Sequence, residues 1–259
     1  MGKLKYTIFT VPNNFAISGV ANAQHNAIGS WLKLEPTPEI ILCGDDPGVA
    51  GVAQDYGLQN IRLERSGYGT PLVSDAFAKV AERAKHDLVV FINTDIVLLQ
   101  DFVLSLAMVA TKFPYNQFLM CGGRWDIEPT EKLNFTCDMW LAQVLRQMAR
   151  TGVRHDKGGS DYFAGRRGLL SRNMPPFAIG RCGWDNWAIS HGVQQGWAVV
   201  DATDTTTVIH QGIPATQHHK RSAEDEGTVR LYEQHKGKAT GNLSDALWVT
   251  TIGGVELRR

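Results

Sequence analysis

Short apolar runs alternate with stretches of helical spacing through residues 1–121 of this chain. Residues 6–11, 39–43, 60–63, 88–92 and 118–121 read as strands. Residues 21–34, 48–56, 71–85 and 100–112 read as the helices between them, with Leu72, Ala76, Val80 and Ala84 on one face of the third. This alternation predicts a mostly parallel sheet with helices on both faces. The strands are nearly all apolar, as strands covered from both sides are. In such sheets ligands bind beyond the carboxyl ends of the strands. Residues 10–13, 44–46 and 93–95 therefore become candidate site segments before any motif is considered.

After Cys121 the pattern loosens. Residues 137–150 read as a helix and residues 151–160 as a glycine-rich polar loop. Short strands are expected near Tyr162 and Phe163 and at residues 198–200, around a helix that begins near Trp184. Residues 206–209 form a further strand, and beyond Gln211 the chain is polar without a clear element. The 259 residues suit one α/β domain. An apolar content of 43% and a charged content of 20% exclude a disordered chain. The 26 basic and 26 acidic residues cancel, which leaves no broad electrostatic footprint for nucleic acid or an anionic membrane. Any phosphate has to be held locally.

Cys43, Cys121, Cys137 and Cys182 form no CxxC pair, which argues against a zinc ribbon or a thioredoxin motif, and they read as reduced thiols. No run of 18 apolar residues occurs, and the amino terminus lacks the apolar region of a signal peptide. The expectation is a soluble cytoplasmic protein, in which the sequons at Asn134 and Asn242 carry no meaning.

The most informative stretch is the apolar run at residues 88–92 that enters Asn93-Thr94-Asp95 and resumes at residues 96–98. A carboxylate between two apolar runs is costly to desolvate without a partner. A hard divalent cation is one such partner and a helix cap or turn amide is another. Asp185 lies between Trp184 and Trp187 at the expected start of a helix, as an N-cap or as a reactive carboxylate. Asp161 follows two glycines and a serine, and such a carboxylate serves either an Asx turn or two sugar hydroxyls. His210 ends a β-branched strand, as a hydrogen-bonded residue or as a ligand. Arg166 and Arg167 are candidates to face a diphosphate or are ordinary surface arginines.

Asn93-Thr94-Asp95 at the end of a central strand resembles the DXD motif of GT-A fold nucleotide-diphospho-sugar glycosyltransferases. Four later blocks, at residues 159–163, 175–180, 183–187 and 208–211, resemble a family 2-like bacterial and viral branch of those enzymes. The resemblance spans residues 4–212 and departs from the strict motif at Asn93, where Asp is frequent. It implies a GT-A fold, Rossmann-like and mostly parallel, with an acceptor-side region toward the C-terminus. Residues 1–121 become a nucleotide-binding half, 122–212 an acceptor and catalytic half, and 213–259 an extension with the place of a lid that includes His218 and His219.

The same resemblance implies Mn²⁺ or Mg²⁺ held by Asp95 and His210, and a nucleotide held by Thr10, Pro12, Asn13, Asp45, Asp46, Asn93 and Thr94. Glycines at residues 66–70 would lie near the ribose. Asp185 becomes the base of an inverting transfer, and Asp161, Trp184 and Trp187 contact sugar. An acidic group can accept the imide N–H of uracil, which favours a UDP-sugar donor. The partners are that donor and a glycan or other hydroxyl acceptor. One rival is a sugar-1-phosphate nucleotidyltransferase, but residues 11–14 are not the glycine-rich basic loop it needs. The other is a catalytically silent nucleotide- or glycan-binding module, which Asn93 favours.

Overall fold

The structure, a computed structural model, describes residues 4–129, 131–212 and 222–258. His218 and His219 lie outside the described residues. The first half runs β1 (Tyr6–Thr10), α1 (Ser18–Leu32), β2 (Glu39–Cys43), α2 (Val49–Tyr56), β3 (Gln59–Ile61), α3 (Val73–Arg83) and β4 (Leu88–Ile92). Then come β5 (Ile96–Leu98), α4 (Gln100–Lys112), β6 (Phe118–Cys121), β7 (Trp125–Ile127), α5 (Met139–Thr151), β8 (Val153–Arg154) and β9 (Tyr162–Arg166). The chain continues through α6 (Trp184–Gln194), β10 (Ala198–Asp201), β11 (Val208–Gln211), α7 (Ala223–His235), β12 (Trp248–Thr251) and β13 (Gly254–Leu257).

The large sheet has the order β13-β12-β10-β6-β9-β4-β1-β2-β3. Its pairings are parallel except that β9 runs against β4 and β6, and β13 against β12. The strands are buried on both sides, yet successive side chains still point to opposite faces. Ile8, Ile40, Val90 and Met120 meet Trp31 of α1, Val49 of α2 and Phe102 of α4 on one face. Phe9, Ile41, Phe91 and Leu119 meet Phe77 of α3 and Trp187 of α6 on the other. The helices thus cover both faces, as the strand–helix alternation predicts.

Beyond Gln211 the structure is more ordered than the sequence pattern announces. α7 starts with a reciprocal capping box, in which Ser222 and Asp225 satisfy each other's backbone amides. β12 pairs with β10, and β13 closes that edge of the large sheet. The extension read as a lid therefore supplies two strands of the central sheet. Polar residues such as Thr251 and Glu256 hide the strand pattern because an edge hairpin buries little.

A second sheet, β5-β11-β7-β8, stands beside the first. The chain passes from β4 of the large sheet to β5 of the small one through Asn93, Thr94 and Asp95. α1 braces that passage. Trp31 is fully buried and donates its indole N–H to the Ile96 carbonyl at 2.9 Å. Removing a buried indole leaves a cavity under β5 as well as an unmet carbonyl. Trp31→Ala is expected to lower the unfolding free energy by about 3–5 kcal/mol, read from urea denaturation with an unchanged m-value.

Candidate functional site

The small sheet aligns polar residues that are far apart in sequence. β11 pairs with β5 so that His210 lies opposite Ile96, and with β7 so that His210 lies opposite Asp126. His210 is thus set between Asp95 and Asp126. Its Nε2 is 3.3 Å from Asp95 Oδ2 and its Nδ1 is 3.0 Å from Asp126 Oδ1. The Gln211 amide donates to the Asp95 carbonyl at 3.1 Å, which fixes the backbone of the motif to β11.

Arg124 gathers the remaining charges. Its Nε donates to Asp126 Oδ1 at 2.8 Å and its Nη1 donates to Asp161 Oδ2. His155 Nδ1 lies 2.6 Å from Asp126 Oδ2. Asp161 is 6% exposed, and its Oδ1 accepts the Asn93 side-chain amide at 2.6 Å. The Asn93 backbone amide donates to the Asp161 carbonyl at 2.9 Å. Thr10 and Thr94 share a buried hydroxyl–hydroxyl bond of 2.5 Å that ties the end of β1 to the motif. The expected residues Thr10, Asn93, Thr94, Asp95, Asp161 and His210 therefore stand together. Arg124, Asp126 and His155 join them unannounced. The carboxyl-end rule that marks residues 93–95 also points to the turn after β6, where Gly122, Gly123 and Arg124 follow directly.

The electrostatics are mutual. Burial works against a charged His210, and the hydrogen bond and charge of Asp95 outweigh it, so the imidazole is raised above its ordinary range. Burial would raise Asp126, but the hydrogen bonds from His155 and Arg124 hold it below the usual carboxylate range. Asp185 lies in the first turn of α6, whose cap position is Gly183 in the left-handed region at φ 104°. Gly183 holds the cap position and Asp185 lies two residues inside the helix, so Asp185 is not the N-cap residue. Asp185 keeps a partly accessible edge, but the protein around it desolvates it and raises its pKa to about 6. Backbone amides at the helix start pull the other way, and the charge of Asp161 adds to the rise.

Several expected contacts fall elsewhere. Trp184 and Trp187 are 5% and 1% exposed and belong to the core. Trp184 lies edge-on to Phe91 at 4.8 Å, and Trp187 stacks on His191 at 4.6 Å. Their faces are spent on packing rather than offered to a sugar ring. Asp161 is likewise committed to Arg124 and Asn93. Arg65 bonds Asp45 at 2.6 Å and Asp46 at 2.7 Å, and its hydrogen bond keeps Asp45 below the usual carboxylate range. Pro12 is buried, and exposed Asn13 has its backbone amide and carbonyl tied to the Gln24 side chain at 2.6 and 3.1 Å. Arg166 binds Asp87 and the Pro114 carbonyl, and Arg167 binds the Ala84 carbonyl, all near the amino end of β4. Glu224 of α7 accepts Ser66 and Thr70, so α7 pins the glycine turn at residues 66–70.

The donor set suits a divalent cation. Asp95 Oδ1 is buried without a hydrogen-bond partner, beside the Oδ2 that faces His210. A buried carboxylate oxygen left unmet calls for a missing partner such as an ion. Among the described residues no group of three or more His, Cys, Asp or Glu side chains is arranged as a metal cage. One carboxylate and one imidazole fit the kind of Mg²⁺ or Mn²⁺ site whose other ligands are phosphates and water.

The sequence matches no protein-family model and no curated protein. Its fold matches solved structures. The S. aureus TarS fragment 1–349 in complex with UDP-GlcNAc aligns at 10% identity with a TM-score of 0.55, over 92% of this chain and 68% of that one. A further structure of the S. aureus TarS fragment 1–349 aligns over 66% of its length, with 12% identity, 92% of this chain covered and a TM-score of 0.49. Glucosyl-3-phosphoglycerate synthase from Mycobacterium tuberculosis, with Mg²⁺ and UDP, aligns at 15% identity and TM-score 0.47, over 91% of this chain and 80% of that one. The chain thus spans about two thirds of the TarS fragment. The architecture is the GT-A fold, an α/β fold with a mostly parallel central sheet.

The Asn93–Asp161 pair gives the amide at position 93 a partner. An aspartate at position 93 would set a second carboxylate against Asp161 Oδ1, and two such groups cannot both ionise cheaply. Asn93→Asp is expected to cost little stability near pH 4 and progressively more toward about pH 8. The new carboxyl is raised in the folded state, so its contribution is lost as pH climbs past the unfolded value of about 3.9. Each unit of that rise costs about 1.4 kcal/mol, measurable by urea unfolding across pH. A pH-independent difference from wild type would mean that the two side chains do not face each other.

Proposed function

We propose that this chain is a glycosyltransferase that moves a sugar from a nucleotide-diphosphate donor, favourably a UDP-sugar, to a hydroxyl acceptor such as a glycan. The observation that carries the reading is the unmet buried oxygen of Asp95, beside His210 at the carboxyl end of the central sheet. The fold shared with a protein solved with UDP-GlcNAc bound supports the choice of donor. Asp95 and His210 would hold Mn²⁺ or Mg²⁺, which when bound offsets the charge that builds on the leaving diphosphate. Thr94 and Thr10 brace the motif from β1, and Asn93 keeps its amide on Asp161.

Asp185 takes the acceptor proton as the hydroxyl attacks the anomeric carbon in a single inverting displacement. A pKa of about 6 suits that task, because the group is ionised at neutral pH yet basic enough to accept a proton. No wall of indoles is needed for this tuning, since Trp184 and Trp187 act from within the core. No helix among the described residues is long and apolar enough to cross a membrane.

Asp95→Ala is expected to abolish Mn²⁺-dependent UDP binding while the thermal melt stays cooperative. Calorimetric titration of UDP with and without Mn²⁺ decides this, and wild-type affinity in the variant would remove the metal assignment. Asp185→Asn is expected to retain UDP binding and lose about 10²–10⁴-fold in transfer rate. In the wild type the rate should rise with pH through about 6 and then level, as the base becomes ionised. The linkage has the opposite sign for stability. A carboxyl raised in the folded state costs stability as pH rises from its unfolded value through about 6, so Asp185→Asn should melt at or above the wild-type temperature at neutral pH.

A further inference from the structure

We propose that Asp126 is a positioning residue for His210, holding the proton of the imidazole on Nδ1 so that the Nε2 lone pair faces Asp95. This rests on the metal assignment made above for His210 and extends it to a residue that never touches the ion. A neutral imidazole carries one N–H and one acceptor nitrogen, and the hydrogen bond at one nitrogen decides the role of the other. His210 stands between two carboxylates that compete for that single proton. Asp126 Oδ1 is 3.0 Å from Nδ1, and Asp95 Oδ2 is 3.3 Å from Nε2. Were the proton on Nε2, the nitrogen beside Asp95 would be a donor and useless as a ligand.

The fold fixes Asp126 in place for this role. The parallel pairing of β11 with β7 places His210 and Asp126 opposite each other, so their meeting is fixed by strand register rather than by side-chain choice. Asp126 is then held at both oxygens. Arg124 donates its Nε to Oδ1 at 2.8 Å, and His155 approaches Oδ2 with its Nδ1 at 2.6 Å. A carboxylate has about four acceptor positions, so these two bonds still leave room for the His210 N–H. Arg124 also binds Asp161, which anchors the guanidinium from the far side. The backbone reinforces the turn, since the His155 amide donates to the Arg124 carbonyl at 3.0 Å. Asp95 is left open toward a cation, since its Oδ1 is buried with no hydrogen-bond partner. The shorter contact at Nδ1 and the strand register therefore assign the His210 proton to Asp126, and Asp95 and Nε2 remain as a pair of acceptors for a cation. Carboxylate–imidazole–metal arrangements of this kind are worth about 10–100-fold in metal affinity.

Two measurements test the assignment. The first uses this chain free of metal and reads the ring ¹⁵N shifts of His210 at alkaline pH, where the imidazole is neutral. Wild type is expected to carry its proton on Nδ1, and Asp126→Ala is expected to move it wholly or partly to Nε2. A wild-type ring protonated on Nε2, or an unchanged tautomer in the variant, overturns the proposal. The second reads Mn²⁺ affinity in the presence of UDP by electron paramagnetic resonance. Asp126→Ala should weaken Mn²⁺ by about 10–100-fold, and Asp126→Asn should recover part of the loss because its amide oxygen still accepts the Nδ1 proton. In a His210→Ala background the Asp126→Ala change should have no further effect. Loss of affinity in His210→Ala but not in Asp126→Ala overturns the positioning role. Unchanged affinity in His210→Ala itself overturns the ligand assignment instead, and the tautomer measurement then decides the role of Asp126 alone. Should Asp126→Ala fail to fold, Asp126→Leu, which matches the aspartate in size and accepts no hydrogen bond, carries both measurements, with an unchanged tautomer and unchanged affinity overturning the proposal.

Discussion

The guanidinium of Arg124 is the interaction on which the rest of the site depends. Asp126 and Asp161 both bind it, and Asp95 stands one imidazole away from Asp126. Carboxylates gathered this closely would repel one another or take up protons. A fixed cation that stays charged at every relevant pH eases that conflict for two of the three. The third, Asp95, is left with an unmet oxygen, and this is where the candidate ion would sit. One guanidinium against three carboxylates leaves the site negative, and the charge is least answered at Asp95, which faces the imidazole of His210.

The scaffold that permits this is the passage between two sheets. β4 is an all-apolar strand buried at the centre of the large sheet, and β5 belongs to the small one. The three residues between them cannot be apolar core, because the chain there leaves one ladder before it joins the next. Trp31 fixes the far side of that passage through its bond to Ile96, and Thr10 fixes the near side through Thr94. Strand register then delivers His210 and Asp126 to the same spot. Asp185 arrives independently on α6, whose indoles are buried against Phe91 and Phe177 and hold the helix start in place.

Legibility in the sequence followed hydrophobic period. β2, β4, α4 and β6 lie where residues 39–43, 88–92, 100–112 and 118–121 place them, because each buries a continuous apolar run or stripe. The DXD-like triplet was visible for the same reason, as a polar interruption of such a run. β7 is a strand of Trp125, Asp126 and Ile127 with only one buried residue, so it carries no period to recognise. β12 and β13 were hidden likewise, being half-exposed at a sheet edge. The aromatic pair around Asp185 was misleading, since a tryptophan beside a carboxylate can line a pocket or fill a core and composition is the same for both.

What the sequence determined by itself is the alternating α/β architecture and the strand ends at which chemistry belongs. Apolar spacing is a local property of neighbouring residues, and it settles which segments are strands, which are helices and which faces they bury. What only the tertiary structure decided is partnership. Nothing in the spacing of residues 93, 124, 126, 155, 161 and 210 announces that Arg124 joins Asp161 to Asp126, or that Asn93 answers Asp161. Those contacts arise from the order of strands in two sheets and from the register of β11 between β5 and β7. Register is set by long-range pairing, and a shift of one residue would turn His210 to the opposite face of its sheet and away from both carboxylates.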